Sequence, residues 1–230
     1  MSSTVDREGY RYIPGQFQYS GGVAATAGYA IERVRFTDPV PLTEGFRRIE
    51  AFLRGANCPT TAFCACELRS PGQFTDAGFI AFNSEYVGTL ERWGLFANDR
   101  NPVARSNVCP QIDPPATPSF HAFCYVTPAP NAPPSFVCAG SGEARDSTAP
   151  YREKTISYGE TTPDAMADKA RFVLGVMEDR MAALGGEWSR TTGVQVYSVH
   201  DLYPFLGSEI VARGAARHGL TWHLCRPPVI

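Results

Sequence analysis

A chain of 230 residues with 43% hydrophobic residues and a formal net charge of −2 has the composition of an ordinary globular protein, long enough for one large domain or two smaller ones. Its 21 basic residues are scattered and form no basic stripe, which argues against nucleic acid as a partner. Neither a signal peptide nor a run of about 18 apolar residues is visible, so the sequence predicts a cytoplasmic protein with no membrane span.

The seven cysteines are expected to be reduced and buried, as in a cytoplasmic protein. Cys64 and Cys66 alternate along a predicted strand and therefore share one of its faces. No second Cys or His pair stands at ligand spacing from them, so the sequence does not predict a zinc site.

The first half of the chain alternates between strand and helix patterns. Residues 29–36 are rich in β-branched and aromatic residues, and we expect this strand to end at Thr37-Asp38-Pro39. Residues 44–56 repeat apolar side chains at helical spacing. The expected order is β-β-α-β-α-β with a hairpin before the first helix, and the other strands are at 9–20, 60–70 and 120–127.

A second helix pattern begins at Phe79 and passes through a polar loop to Pro102, and a strand carrying Arg105 follows. Arginine is charged at any working pH, and its planar fork of donors suits a carboxylate. A solvated or ion-paired surface arginine is the alternative interpretation of the same pattern.

Residues 128–135 contain four prolines in eight positions and mark the best domain boundary in the chain. Beyond it, residues 163–184 predict a long helix with Thr162 as N-cap and Gly185 at its end. The remaining elements are strands at 136–139, 192–200 and 222–226 and a weak helix at 206–216.

The order of elements in the first half recurs in the second. Asn83 and Tyr86 correspond to Gly207 and Ile210, and Arg105 corresponds to Arg226. An internal repeat of this kind decides the fold prediction. We expect an α+β fold of two tandem units, each a mixed or antiparallel sheet with two helices on one face. The units are residues 1–127 and 136–230, joined by the linker 128–135.

Asn83 and Tyr86 on a helix, followed by Pro102-Val-Ala-Arg105-Ser106 at a strand start, resemble the Rid family, the YjgF-type reactive intermediate deaminases with a chorismate-mutase-like fold. The resemblance is closer over 44–127 than over 136–230. Family members form trimers with a site in each cleft between subunits, and they hydrolyse an imine or enamine beside a carboxylate. The resemblance therefore implies a carboxylate substrate, a homo-oligomer of three chains or a multiple, and no metal or organic cofactor.

Carried over to this chain, the resemblance makes Arg105 the carboxylate-binding residue and places Asn83, Tyr86 and Tyr19 in the site. Asn107 stands where the family often has Cys or Thr. The acidic residue of the last strand is absent, because residues 119–121 read Ser-Phe-His. His121 is the candidate for general acid–base catalysis because its ordinary pKa lies near neutral, and a structural or exposed histidine is the alternative.

The turn Gly140-Ser141-Gly142 resembles a small-residue turn of the family that the first unit lacks. These complementary losses predict a composite site, with Arg105 from one unit and the Gly140–Glu143 turn from the other. Ser141, Glu143 and Arg226 are the candidate binding residues of the second unit, and a second unit that serves only as scaffold is the alternative. After Arg226 the expected final strand is missing, so either it is supplied elsewhere or the chain continues beyond Ile230.

The predicted function is that of a hydrolytic deaminase acting on a carboxylated enamine or imine such as 2-aminoacrylate or 2-aminomuconate. One alternative is a hydrolase of a different C–N bond, since Ser119 and His121 stand at the altered acid position. The other is a non-catalytic module that binds a small carboxylate, which ammonia release distinguishes from an enzyme.

Overall fold

The computed structural model describes residues 4–15, 17–140, 142–145 and 151–229. In chain order, its strands are β1 (Val5–Arg7), β2 (Tyr10–Ile13), β3 (Gly22–Ala25), β4 (Tyr29–Pro41), β5 (Phe63–Arg69), β6 (Ala104–Pro110), β7 (Ser119–Pro128), β8 (Phe136–Cys138), β9 (Gln195–Tyr197), β10 (Thr221–His223) and β11 (Cys225–Arg226). The helices are α1 (Leu42–Gly55), α2 (Asp76–Arg92), α3 (Tyr151–Lys154), α4 (Pro163–Leu184) and α5 (Tyr203–Phe205).

The strand that carries Arg105 lies inside a five-stranded mixed sheet of order β11-β6-β5-β7-β4. Only β5 and β6 run parallel, and the other neighbours are antiparallel. Helices α1 and α2 cover one face, where Phe46 of α1 lies against Tyr86 of α2 with ring centroids 5.8 Å apart. This mixed sheet with two helices on one face agrees with the α+β prediction.

A smaller antiparallel sheet of order β1-β2-β3-β8 packs against α4 through Ile13, Ala24 and Leu184. Strands β9 and β10 form a separate parallel pair. Strands β8 and β11 follow the proline-rich segment in sequence, yet they pair with β3 and β6, which precede it. The division at residues 128–135 and the tandem repeat stay predictions.

The expected end of the first long strand at Thr37-Asp38-Pro39 was wrong. After an irregularity that follows Arg35, β4 continues to Pro41 and its Val40 pairs with Phe120 of β7. Pro39 and Pro41 are tolerated because β4 is the edge strand of its sheet and does not need every N–H group for pairing. The two strands predicted before α1, at 9–20 and 29–36, do not form the expected hairpin with each other, because β2 pairs with β3 and β4 pairs with β7.

The long helix of the second half has the predicted limits and caps. The Thr162 hydroxyl accepts a hydrogen bond from the amide of Ala165 at 3.3 Å, and Gly185 ends the helix with φ of 76°. The predicted helix at 206–216 is instead the three-residue α5 followed by a π-helical turn, Leu206–Val211. Gly207 and Gly214 weaken a regular helix here, and Gly214 has φ of 84°. Among the described helices, none combines the length and the apolarity that crossing a membrane requires.

Candidate active site

Arg105 occupies a pocket of aromatic side chains between β6 and α2. The residue is only 3% exposed, and its Nη2 donates to Oδ1 of Asn83 at 2.7 Å. Its guanidinium carbon lies 4.7 Å from the ring centroid of Tyr86, 5.5 Å from that of Phe82 and 5.6 Å from that of Tyr19. Three of the residues predicted to form a site with Arg105 therefore do surround it.

The charge of Arg105 has no carboxylate counter-ion within the described ranges of the chain. Its Nη1 is buried and has no hydrogen-bond partner among the described residues. Burial lowers the pKa of Arg105, but a guanidinium starts so high that it stays charged. A buried cation with an unused donor is costly for the folded protein, so an incoming anion finds a strong partner here.

Asn83 orients the guanidinium without neutralising it. The residue lies on α2, is 2% exposed, and donates from Nδ2 to the carbonyl of Phe79 at 2.8 Å. With the NH₂ group committed to that carbonyl, the amide oxygen faces Arg105. A neutral oxygen fixes the direction of the fork and leaves the positive charge available for a substrate.

The other polar neighbours of Arg105 are also uncharged. Burial raises the pKa of the Tyr86 phenol well above its usual range, and burial raises the pKa of the Cys66 thiol to about 12. The Cys66 sulfur and the Tyr86 hydroxyl lie 3.5 Å apart. Because neither group ionises near neutral pH, neither competes with a carboxylate for the guanidinium.

Asn107 adds a second unused donor on the same face of β6, because residues two apart on a strand point the same way. Its Oδ1 accepts a hydrogen bond from the Ser70 hydroxyl at 2.9 Å. Its Nδ2 is buried and, like Nη1 of Arg105, has no partner in the part of the chain that the structure describes. Two free N–H donors on one strand face suit the two oxygens of a carboxylate.

Tyr19 belongs to a segment that is hydrogen-bonded to residues at and just before the start of β6. The amide of Ser20 donates to the carbonyl of Val103 at 2.8 Å. Asn101 donates from Nδ2 to the carbonyl of Phe17 at 3.0 Å and accepts from the amide of Val103 at 2.9 Å. Asn101 is fully buried and was not singled out from the sequence, although an Asn before a Pro at the end of a polar loop is a common turn signal.

Part of the predicted composite site approaches β6 from the second half. A Cβ built on Gly140 lies 3.8 Å from the Cβ of Ser106, the neighbour of Arg105. Glu143 instead reaches toward α4, where its carboxylate lies 3.8 Å from Nζ of Lys169. Ser141 falls outside the described residues.

Arg180 of α4 also reaches this region, and the sequence did not single it out. Its Nη1 donates to the carbonyl of Ala139 at 3.0 Å and to that of Gly140 at 3.4 Å. In the sequence, Arg180 is one of several polar residues on an amphipathic helix. The signal that separates it from the others is the pairing of β8 with β3, which brings α4 and the Gly140 turn to this end of β6.

Two predicted site residues lie elsewhere. His121 faces away from α1 and α2, and its ring lies 6.4 Å from that of His223. Burial and then nearby Arg69 lower its pKa to about 4. Arg226 pairs with Cys109, four residues or about 13 Å along β6 from Arg105.

Arg226 is exposed, and its Nε donates to the side-chain oxygen of Gln111 at 3.1 Å. Its expected role in substrate binding stays a prediction, as does the catalytic role of His121. Across the described ranges, no three His, Cys, Asp or Glu side chains are grouped closely enough to hold a metal ion.

Comparison of the sequence with known proteins identifies the family of this chain. The family described as 2-aminomuconate deaminase CnbZ matches residues 2–230 of the chain. A 2-amino-5-chloromuconate deaminase of Comamonas testosteroni is 50% identical over 224 residues, which are 96% of this chain and 89% of that protein. A crystal structure of a YjgF-family member from Neisseria meningitidis aligns with 54% of this chain and 97% of its own, at 15% identity and a TM-score of 0.26. The chain belongs to the 2-aminomuconate deaminase CnbZ family.

Proposed function

We propose that this protein hydrolyses the enamine or imine group of a 2-aminomuconate-type dicarboxylate and releases ammonia. The family match over nearly the whole chain and the 50% identical 2-amino-5-chloromuconate deaminase support a deaminase of this substrate class. The single observation that carries the proposal to particular residues is the buried Arg105, which has no counter-ion in the described chain and keeps a free donor.

The carboxylate beside the amino-bearing carbon binds to Arg105. One carboxylate oxygen accepts from the free Nη1 of Arg105, and the other accepts from the free Nδ2 of Asn107. The contact replaces two unsatisfied buried donors with hydrogen bonds, each worth about 1–3 kcal/mol when the alternative is a buried group without a partner. Asn83 holds the guanidinium fork in the direction that this contact needs.

The aromatic residues around Arg105 suit the remainder of the substrate. The conjugated carbon chain of an aminomuconate is flat and apolar on both faces. Tyr19 is half-buried at the outer side of the pocket, whereas Phe82 and Tyr86 are buried. Flat rings bury such a chain without asking it for hydrogen bonds, so they contribute affinity while Arg105 and Asn107 set its direction.

The reaction is the addition of water to the carbon that bears nitrogen. The enamine takes up a proton on the carbon next to the nitrogen-bearing carbon, which gives the imine. The water oxygen then bonds to the nitrogen-bearing carbon, and one water proton passes to nitrogen, which gives a carbinolamine. When the second water proton passes from the hydroxyl group to nitrogen, the C–N bond breaks, ammonia leaves, and the carbon becomes a carbonyl. Imines hydrolyse in water unaided, so a site that fixes the substrate and stabilises developing charge next to Arg105 accelerates the reaction without a metal ion.

Ammonia release from freshly generated 2-aminomuconate tests this proposal. Wild-type protein treated with a metal chelator is expected to release ammonia, and Arg105→Gln is expected to lose about 100-fold or more of kcat/KM. Arg7→Gln is the matched control, because Arg7 also lacks a carboxylate partner among the described residues and donates to the carbonyls of Gly94 and Leu95. Equal activity of the Arg105 and Arg7 variants, or loss of wild-type activity with the chelator, would overturn the assignment.

A further inference from the structure

We propose that Arg180 binds the second carboxylate of the dicarboxylate whose first carboxylate binds Arg105. This inference rests on the proposed function and adds the residue that selects dicarboxylates over monocarboxylates. A muconate carries a carboxylate at each end of a rigid conjugated chain. A site that holds only one end leaves the other charge without a partner.

Arg180 is held at the junction of the two sheets. Besides the carbonyls of Ala139 and Gly140, it meets the segment before β3, where its Nε lies 3.5 Å from a Cβ built on Gly21. The residue is half-buried, and its hydrogen bond to Gly140 is at the exposed side of the contact. The side chain is thus fixed by backbone groups and still accessible from solvent.

The guanidinium of Arg180 has no carboxylate partner in the part of the chain that the structure describes. Arg171, on the same helix, differs in this respect, since its guanidinium pairs with Asp168 and Glu209, each at 2.6 Å. Among the described residues, the hydrogen bonds of Arg180 all come from Nη1, which leaves the donors of Nη2 and Nε for a ligand. A half-buried cation that is already oriented and lacks a counter-ion is a favourable partner for an anion.

Arg180 and Arg105 approach the same end of β6 from two directions. Gly140, whose carbonyl accepts from Arg180, lies against Ser106, the residue after Arg105 on β6, whose side chain points to the opposite face of the sheet. The segment that meets Arg180 at Gly21 is bridged to β6 through Ser20 and Ala104. Tyr19 directly precedes Ser20 and Gly21 in the chain, and its ring centroid lies 5.6 Å from the Arg105 guanidinium carbon. Burial lowers the pKa of Arg180, and the Tyr19 phenol opposes that shift.

Two cations that both lie near the Tyr19–Gly21 segment and have no counter-ion among the described residues complement a flat dianion. Arg105 is buried and takes the carboxylate next to the reacting carbon, whereas Arg180 is nearer to solvent and takes the distal carboxylate. A monocarboxylate fills only one of the two positions. The difference in binding between the two ligand classes therefore depends on Arg180, while the chemistry at the reacting carbon depends on Arg105.

A pair of unreactive ligands isolates this difference. Hexa-2,4-dienedioate and hexa-2,4-dienoate share the conjugated six-carbon chain and differ only in the second carboxylate. Calorimetric titration of the full chain is expected to show about 10- to 100-fold tighter binding of the dienedioate to the wild type. Arg180→Gln is expected to remove this preference without weakening binding of the dienoate, and Arg180→Lys is expected to retain part of it because lysine keeps the charge and loses the fork.

Arg190→Gln is the matched control. Arg190 lies in the second half of the chain and donates to two backbone carbonyls, those of Gly185 and Pro134, as Arg180 does with Ala139 and Gly140. Melting curves confirm that each variant folds. The Arg190 variant is expected to keep the wild-type preference, so a general effect of losing one arginine is separated from the loss of this one.

The outcomes distinguish this inference from the function on which it rests. Wild-type protein that releases ammonia from 2-aminomuconate but binds both dienes equally, or an Arg180→Gln variant that keeps the preference, overturns the role of Arg180 alone. An Arg180→Gln variant that folds but binds both dienes more weakly by the same factor shows a structural role and also overturns it. Absence of ammonia release by the wild type overturns the proposed function.

Discussion

The hydrogen bond from Nη2 of Arg105 to Oδ1 of Asn83, 2.7 Å long, joins β6 to α2 at the base of the candidate site. It connects a buried cation to a buried neutral amide, and the amide is itself fixed by its bond to the carbonyl of Phe79. A carboxylate at position 83 would also pair with the arginine, but it would neutralise the charge and lose the hydrogen bond to the carbonyl of Phe79. The choice of an amide keeps the charge of Arg105 free for the substrate.

Asn83→Asp is therefore expected to reduce affinity for carboxylate ligands at least about 10-fold while leaving the protein folded, because the new carboxylate pairs with Arg105. The measurement is the Kd of hexa-2,4-dienedioate together with a melting curve. Ser84→Asp provides the control, since it adds the same charge at the next, exposed position of α2. Undiminished affinity in the Asn83 variant would contradict the role given to the free charge of Arg105.

Two glycines inside helices are expected to respond to alanine in opposite ways. A Cβ on Gly45 of α1 would lie 2.3 Å from the ring of the fully buried Phe120, so Gly45→Ala is expected to destabilise the protein by about 1–3 kcal/mol or more. Gly175 of α4 has open space around that position, so Gly175→Ala is expected to stabilise by up to about 1 kcal/mol. Urea unfolding at constant pH measures both. Stabilisation by Gly45→Ala would show that the close packing of α1 on β7 is not limiting, and destabilisation by Gly175→Ala would contradict the open space around that position.

The elements that sequence predicts best are those whose signals are local. The helix at 163–184 carries its own N-cap, its own apolar spacing and a terminal glycine, and all three act within a few residues. The resemblance to a deaminase family, drawn from Asn83, Tyr86 and Arg105, also depends on a short pattern. It is confirmed by the family match over residues 2–230 and by the 50% identical relative.

Long-range pairing accounts for what the sequence did not predict. The alternation of residues along a strand does not say which strand lies beside it, so the pairing of β8 with β3 was not foreseen. That pairing places Ala139 and Gly140, the carbonyl partners of Arg180, directly after a strand that lies beside β3. The face on which His121 lies is likewise set by an irregularity in the pairing of β5 with β7 between Glu67 and Leu68, which no local signal announces.

His121 is expected to make stability depend on pH. Burial and then nearby Arg69 lower its pKa from 6.5 to about 4, while Glu67 opposes the shift. The folded state therefore keeps the ring neutral between these values, whereas the unfolded chain takes up a proton. The contribution of His121 to the free energy of unfolding is full above pH 6.5 and is lost as the pH falls toward 4.

Urea unfolding at several pH values between about 4 and 7 tests this prediction. His121→Gln is expected to flatten the pH dependence, whereas His218→Gln, at an exposed position, is expected to leave it unchanged. The same His121 variant tests the predicted catalytic role, because ammonia release at the wild-type rate would remove it. A pH dependence that is identical in wild type and His121→Gln would refute the stability argument.

The thiol of Cys66 is expected to resist alkylation in the folded protein, and this bears directly on the charge of the site. Burial raises the pKa of Cys66 to about 12, so almost none of it is thiolate near pH 8. A thiolate at this position would supply Arg105 with the counter-ion that the pocket otherwise lacks.

Iodoacetamide labelling followed by mass spectrometry is expected to modify Cys66 only after denaturation. Ser84→Cys gives the positive control, because its thiol would stand exposed on α2. Labelling of Cys66 as fast as of this introduced cysteine would mean that the pocket holds its own anion, and the proposed binding of a substrate carboxylate to Arg105 would lose its electrostatic basis.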